Sequence, residues 1–235
     1  MSQGQANPNY GLSPTGKQSL IFAGDYGAAD EGSFYTSFLT STASTAVALT
    51  TNTIAQANPV LAIQNLWTLT SGNNAMNMYL RYIKMLITVV PTSNTTVNYA
   101  TTLDPMGVKL TTTGTALSAP VNVNGSSTTS SIAKLIGGVN VAAASSSLAR
   151  QVGAGQITGA IPVAFDEYIL NFGSFMGGGD LVGTQTLVKR INVQHAPVII
   201  APQEWFTLGL WGASWAASAF NVQLEVGWIE RPGGQ

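Results

Sequence analysis

The chain has 235 residues, of which 45% are hydrophobic and 8% are charged, whereas a typical soluble domain carries about 25% charged residues. The hydrophobic content is enough for a real core, and the formal net charge of −1 argues against binding to the phosphate backbone of a nucleic acid. Because the chain contains no cysteine, a disulfide framework, a thiolate zinc site and a cysteine nucleophile are excluded.

The few charged residues leave residues 32–80, 110–133 and 205–224 uncharged. These stretches are rich in Ser, Thr, Asn, Ala and Gly, a composition that favours a β-rich protein over a membrane protein or an ordinary enzyme surface. A free monomer with so little charge would tend to associate or precipitate. We therefore expect copies of the chain to cover much of the surface, above all residues 32–57 and 113–149.

The N-terminal residues 1–17 are polar and interrupted by proline and glycine, without helical or strand periodicity. They predict an extended N-terminal arm that neighbouring copies can order. The arm has neither the basic region nor the apolar region of a secretory signal, so synthesis in a cytoplasm is the expectation. A short strand is predicted at 18–23, followed by a turn-rich run at 24–32.

The middle of the chain predicts four strands, at 61–70, 78–90, 95–102 and 108–113. The second of these is apolar on both faces, and its β-branched end favours a buried central strand, with a helix as the alternative. The first strand alternates, and its apolar face carries Leu61, Ile63, Trp67 and Leu69.

Residues 113–159 predict little regular structure, with only 121–123 and 132–136 as islands. A structureless loop of this length inside a compact domain is unusual, so we expect a partner surface or a small subdomain to order this excursion.

The last third of the chain is the most regular. Strands are predicted at 161–172, 187–194, 198–200, 204–211 and 220–230. With about eight to ten strands and no convincing helix, the chain is expected to be all-β, a single antiparallel β-sandwich or barrel with long loops. The expected division is an arm at 1–17, one domain at 18–231 that contains the 113–159 excursion, and a tail at 232–235.

Catalytic interpretations find little support. His195 is the only histidine, and the sequence identifies neither a nucleophile nor an orienting partner for it, so a strand-end histidine is the preferred interpretation. Residues 212–216 approach a nucleophile elbow but end in Ala and lack a strand-to-helix context, which favours a loop. Residues 153–159 have one residue too many for a dinucleotide fingerprint, so their glycines are expected to serve turns.

Metal and acid–base interpretations are equally weak, and we expect no metal and no cofactor. Asp25, Asp30 and Glu31 could share a calcium ion, although exposed loop carboxylates are the simpler interpretation. Asp166 and Glu167 are adjacent on a predicted strand and point to opposite faces, which suits glycoside hydrolysis poorly.

Five tryptophans are the remaining candidates for contacts. Trp67 and Trp228 lie on apolar faces and are expected in the core. Trp211 and Trp215 are candidates for a subunit contact, which aromatic enrichment at interfaces favours over sugar binding. A membrane span at 205–222 is rejected, because its apolar residues alternate and polar residues interrupt it. The glycosylation sequons at Asn94 and Asn124 carry little weight without a secretory context.

Two C-terminal segments, HAPVIIAPQEWFTLGLW at 195–211 and VQLEVGWIER at 222–231, resemble the closing strands of jelly-roll virion proteins of tailed and related bacteriophages. In those proteins a proline-bracketed strand, a second strand and a terminal strand with a Gly-Trp pair recur. This chain has Ile229 where an aromatic residue often stands. The resemblance implies a single jelly-roll subunit of a virus particle, as a capsid, decoration or accessory protein, and implies no catalytic residue.

The leading hypothesis is therefore a non-enzymatic virion structural protein that self-assembles through neutral Ser/Thr/Gly-rich surfaces into a trimer or a larger symmetric lattice. Other virion proteins are possible partners, and neither nucleic-acid nor membrane binding is expected. The alternative is a carbohydrate-binding or adhesin module in which Trp211 and Trp215 form the platform. A β-sandwich hydrolase that uses His195 ranks third.

Overall fold

The computed structural model describes residues 10–12, 18–20, 29, 31–38, 45–47, 59–69, 75–89, 98–105, 115–137, 149–156, 164–173, 190–211 and 220–233. All sixteen regular elements within these residues are β-strands. The first eight are β1 (Tyr10–Leu12), β2 (Gln18–Leu20), β3 (Phe34–Phe38), β4 (Thr45–Val47), β5 (Pro59–Asn65), β6 (Met76–Val89), β7 (Asn98–Asp104) and β8 (Thr115–Ala116). The second eight are β9 (Val121–Asn122), β10 (Ala133–Gly137), β11 (Arg150–Gln156), β12 (Glu167–Phe172), β13 (Arg190–His195), β14 (Val198–Ile200), β15 (Trp205–Trp211) and β16 (Phe220–Pro232).

The strands form two large sheets. One has six strands in the order β11-β7-β15-β5-β10-β8. The other has eight strands, in which β13-β12-β6-β16-β3-β9 are successive neighbours, β14 pairs with β6 and β4 pairs with β16. Among the described pairings only β12 with β13 is parallel. The prediction of an all-β, mainly antiparallel fold is confirmed.

The two sheets enclose one apolar core, as in a β-sandwich. Phe206 and Leu208 of β15 contribute from the six-stranded sheet, while Leu170 of β12 and Trp228 of β16 contribute from the eight-stranded sheet. All four side chains are fully buried. The core face predicted for residues 220–230 is confirmed at Val222, Leu224, Val226 and Trp228. The alternation in burial ends at Val226, and residues 227–230 are all buried.

The long strand β6 contains a β-bulge that explains its unusual sequence. Pairing with β16 skips Arg81 between Leu80 and Tyr82. An extra residue reverses the alternation of the strand, so Leu80 before the bulge and Ile83 after it are both buried. The sequence of β6 therefore looks apolar on both faces, although its buried side chains before and after the bulge lie on the same face of the sheet. The helix alternative for 78–90 is wrong.

The predicted strand at 61–70 is too long at its C-terminal end. β5 ends at Asn65, whose side-chain Nδ2 donates to Met76 O at 2.8 Å and to Ile200 O at 3.0 Å. Its Oδ1 accepts from Trp67 N at 2.9 Å, which turns the chain away from the ladder. Trp67 is therefore only half-buried and Leu69 is 61% exposed, so the expected core position of Trp67 is wrong.

Several strands, among them β1, β3, β8 and β11, occur where the sequence predicted none. β1 lies inside the predicted arm and pairs with β2, and β11 lies inside the 113–159 excursion and pairs with β7. β12 begins at Glu167, after a turn, and is shorter than the predicted strand at 161–172. The predicted strand at 108–113 lies outside the described residues.

No helix in the described ranges is both long enough and apolar enough to cross a bilayer.

Candidate assembly surface

An exposed apolar strip lies where β3 pairs with β9. Val121 is opposite Thr36, and Val123 N donates to Phe34 O at 3.1 Å. Residues opposite one another on paired strands, and residues two apart on one strand, share a face of the sheet. Phe38, Val121 and Val123 therefore lie on one face, with 44%, 50% and 43% of their surfaces exposed. We call these three residues the β3–β9 strip.

The strip lies within two stretches of the chain that carry no charge, residues 32–80 and 110–133. The charged residue Glu225 of β16 lies beside the strip, because it is paired with Phe38 in the sheet. The Glu225 carboxylate accepts from Tyr82 Oη at 2.8 Å and lies 3.6 Å from Lys84 Nζ. Covering the strip with another apolar surface would therefore desolvate little unpaired charge.

Two hydrogen bonds between Ser118 and Phe38 hold the chain before β9 against the end of β3. Ser118 N donates to Phe38 O at 3.0 Å, and Phe38 N donates to Ser118 Oγ at 3.0 Å. Ser37 is fully buried, and its Oγ donates to Ser118 O at 2.8 Å. The strip therefore has a fixed backbone although its side chains are exposed.

The loop after β9 is fixed to the start of β3 by polar side chains. Asn122 Nδ2 donates to Gly32 O at 2.7 Å, and Tyr35 Oη donates to Thr129 Oγ1 at 2.9 Å. Gly32 has a φ of 69°, and a Cβ placed on it would lie 2.7 Å from Ser127 Oγ. A glycine is required here both by the backbone conformation and by the close approach of the loop.

Glu230 anchors the other end of the same loop inside the protein. Its Oε1 accepts from Trp228 Nε1 at 2.9 Å and from Ile132 N at 3.1 Å, and Ser131 Oγ also donates to it. Burial raises the pKa of the Glu230 carboxyl, and these hydrogen bonds partly oppose the shift. Glu230 lies within β16, two residues before the end of the strand, and is 6% exposed.

The two regions expected to be covered by neighbours differ in the structure. Residues 32–38 are mainly buried by their own chain, because β3 packs on the core through Tyr35 and Ser37. Residues 116–131 are mainly exposed or half-exposed, including the strip residues Val121 and Val123. Within the described residues of these two regions, the accessible neutral surface is therefore narrower than the sequence predicted and centres on the β9 region, whereas most of 39–57 and all of 138–148 lie outside the description.

His195 lies at the end of β13 in an aromatic cluster that joins the two sheets. Its Nε2 is 2.8 Å from Tyr99 Oη, and its ring stacks on Phe172 with centroids 5.5 Å apart. Burial lowers the pKa of His195 and raises the pKa of Tyr99. Its described contacts are with aromatic side chains and the β11 backbone, which fits the structural interpretation of this histidine.

The glycines of 153–159 that are described lie within a strand and not in turns, contrary to expectation. A Cβ on Gly153 would lie 2.8 Å from Thr101 Oγ1 and 3.0 Å from His195 Nδ1. A Cβ on Gly155 would lie 2.8 Å from Tyr99 Oη. These glycines let side chains from neighbouring strands approach the backbone of β11.

The candidate carboxylates are engaged in local contacts. Glu167 Oε2 is 3.1 Å from Lys84 Nζ, and Asp166 is 1% exposed. Glu31 pairs with Arg231 at 2.8 Å on the surface, whereas Asp25 and Asp30 lie outside the described residues. Within the described part of the chain, no group of three or more His, Asp or Glu residues could hold a metal ion.

The two tryptophans singled out as contact residues are only partly placed. Trp211 ends β15, where its backbone pairs with Asn98, and its side chain is outside the description. Trp215, the segment 212–216 and Asn94 also lie outside the described residues. The carbohydrate-binding alternative, which depends on Trp211 and Trp215, stays a prediction.

No protein-family model, no curated protein and no solved structure matches this chain.

Proposed function

We propose that the two sheets form a jelly roll. A jelly roll contains eight strands in two Greek keys, and it can be described as one long antiparallel ribbon wrapped around a core. In such a ribbon the first strand pairs with the eighth, the second with the seventh, the third with the sixth and the fourth with the fifth. The eight framework strands proposed here are β3, β5, β6, β7, β11, β12, β15 and β16.

The observed strand pairs support this proposal. The four ribbon pairs are present as β3–β16, β5–β15, β6–β12 and β7–β11, and all are antiparallel. Wrapping the ribbon also brings the eighth strand beside the third and the seventh beside the fourth. The pairs β16–β6 and β15–β7 match these two contacts. In this description β8, β9 and β10 are additions between the fourth and fifth framework strands.

We further propose that the chain is a structural subunit of a virus particle, as a capsid, decoration or accessory protein, and that it assembles with copies of itself. The observation that carries this proposal is the exposed β3–β9 strip, in a chain with only 8% charged residues. Exposed apolar patches on such a background are typical of protein–protein contacts. Residues 195–211 and 222–231 resemble the closing strands of jelly-roll virion proteins, and this resemblance is the reason for proposing a virus particle as the assembly.

Assembly is tested on the purified chain by light scattering over a range of concentrations, combined with negative-stain microscopy. We expect a trimer or a larger symmetric species, seen as rings, tubes or shells. A chain that stays monomeric at every concentration would refute self-assembly.

The strip itself is tested with Val121→Lys, which places a charge at its centre. Ile199→Lys is the matched control, because Ile199 is also an apolar residue of the eight-stranded sheet and is 44% exposed. We expect Val121→Lys to shift the chain to smaller species and Ile199→Lys to leave its size unchanged. Equal assembly of both variants and the parent would remove the strip as the contact.

A further inference from the structure

Asn124 and Gly125 lie in an exposed turn directly after the strip residue Val123. They are the only Asn-Gly pair in the chain. A Cβ placed on Gly125 would meet no atom within 4 Å, so space around this residue is open. The backbone nitrogen of Gly125 has no side chain of its own residue to shield it.

Hydrogen bonds to the residue after Gly125 restrict the side chain of Asn124. Its Oδ1 accepts from Ser126 N at 3.0 Å and from Ser126 Oγ at 2.6 Å. A side-chain bond to the backbone two residues ahead is an Asx-turn, and the ring that it closes contains the Gly125 nitrogen. The same bonds draw electron density from Cγ and restrict the side chain, both of which favour attack on Cγ.

We propose that Asn124 is a site of spontaneous deamidation. The backbone nitrogen of Gly125 forms a bond to Cγ of Asn124, and the side-chain amide leaves as ammonia with the proton from that nitrogen. The product is a five-membered succinimide. Water then opens the ring at either carbonyl, which leaves aspartate or isoaspartate at position 124, with no oxidant or reductant consumed.

The reaction places a charge beside the β3–β9 strip. An aspartate side chain has an ordinary pKa of about 3.9, so the product is ionised at neutral pH. Residues 110–133 otherwise carry no charge. If the strip is the assembly contact, which rests on the proposed function, ageing of the free subunit lowers its ability to assemble.

The chemistry is tested by peptide mapping of the intact protein after incubation at mildly alkaline pH. Trypsin releases residues 110–134, which contain Asn122 and Asn124 as their only asparagines. Asn122 is the internal control, because β-branched Val123 follows it and its Nδ2 is bound to Gly32 O. We expect conversion at position 124 to be several-fold faster than at position 122. Equal rates, or an unmodified Asn124, would overturn the proposal.

Two variants test the two structural causes. Gly125→Ala adds a side chain beside the attacking nitrogen, and Ser126→Ala removes the 2.6 Å hydrogen bond to Oδ1. We expect a several-fold loss of rate in each, whereas Ser130→Ala, in the same exposed loop, keeps the parent rate. A Gly125→Ala variant that converts as fast as the parent would contradict the mechanism.

The consequence for assembly is measured separately with Asn124→Asp. We expect this variant to form smaller species than the parent. Rapid conversion in the peptide map together with unchanged assembly of Asn124→Asp would overturn the consequence and leave the modification site standing. A parent chain that is monomeric throughout would refute the proposed function without affecting the peptide map.

Discussion

The ring of Tyr82 lies directly over Gly227 of the neighbouring strand. The two residues are paired between β6 and β16, and a Cβ at position 227 would overlap the ring. Tyr82 Oη donates to Glu225 Oε1 at 2.8 Å, and Tyr82 also packs against Phe34 and Ile229. The glycine of the Gly-Trp pair is therefore needed by packing on the outer face of the eight-stranded sheet.

Gly227→Ala is expected to destabilise the protein by about 1–3 kcal/mol, the usual cost of overpacking. The added methyl group forces the Tyr82 ring away from its hydrogen bond and from the cluster around Phe34. Urea unfolding measures the change, with Gly125→Ala as the control at a position with open space. Tyr82→Ala added to Gly227→Ala should cost less than the sum of the two single changes, because the overlap is gone. Strict additivity would argue against the overlap.

Glu230→Gln is expected to lower the free energy of unfolding by about 1–3 kcal/mol, because it replaces charge-assisted hydrogen bonds at a buried site with weaker neutral ones. An amide keeps one acceptor oxygen, and when this oxygen accepts from Trp228 Nε1, the NH2 group faces Ile132 N, which donates to Glu230 Oε2 at 3.2 Å. Glu31→Gln is the surface control, where loss of the exposed pair with Arg231 should cost at most about 1 kcal/mol. Similar small effects of both substitutions would show that Glu230 does not anchor the loop.

Much of the fold follows from the sequence where one face of a strand is buried and the other is polar. β16 alternates Val222, Leu224 and Val226 with polar residues, and this alternation predicts both the strand and its buried face. β11 has the opposite character, because it is an edge strand rich in glycine. Glycine is needed in β11 because the side chains of Tyr99 and His195, which belong to other strands, lie close to its backbone. This requirement comes from tertiary contacts, so it gives no periodic pattern in the sequence.

The candidate surface was only partly predictable for a related reason. The sequence locates the neutral stretches, but it does not tell which of their residues their own chain buries. Tyr35 and Val121 both lie in uncharged stretches, yet Tyr35 is 3% exposed and Val121 is 50% exposed. The difference arises because Tyr35 faces the core, where its ring stacks on Trp228, whereas Val121 is opposite Thr36 and lies on the outer face of the same sheet.

His195 is expected to make stability depend on pH in a simple way, because it is the only histidine. Burial lowers its pKa in the folded protein below the ordinary value of 6.5. Above pH 6.5 both states hold a neutral imidazole and the contribution to stability is complete. As the pH falls below 6.5, the unfolded chain binds the proton first, so stability decreases until the folded pKa is reached.

Unfolding free energies measured at successive pH values check this expectation, with His195→Phe as the comparison. Phenylalanine can still pack against Phe172 but cannot be protonated, so the decrease just below pH 6.5 should disappear. Glu230 has the opposite effect on the pH dependence. Its pKa in the folded protein is raised above 4.5, so its contribution to stability is present at low pH and is lost as the pH rises through the folded pKa. A decrease that persists in His195→Phe would assign the pH dependence to another group.

Phe165 has a backbone conformation that suits glycine, so the usual order of stability, in which Ala is more stable than Gly, should be reversed at this position. Its φ is 73°, and it is locked there because Phe165 N donates to Ile87 O at 2.7 Å and Ile87 N donates to Asp166 O at 3.0 Å. The left-handed conformation costs a residue with a side chain about 1–2 kcal/mol. At an ordinary strand or helix position, Gly is less stable than Ala by about 0.5–1 kcal/mol.

At position 165 we expect Phe165→Gly to be more stable than Phe165→Ala by about 1 kcal/mol, because both remove the ring but only glycine relieves the backbone. The ring is 61% exposed, so its loss costs little packing in either variant. Denaturant unfolding of the two variants side by side measures the difference. The usual order, with Ala more stable than Gly, would mean that the left-handed backbone at Phe165 carries no penalty.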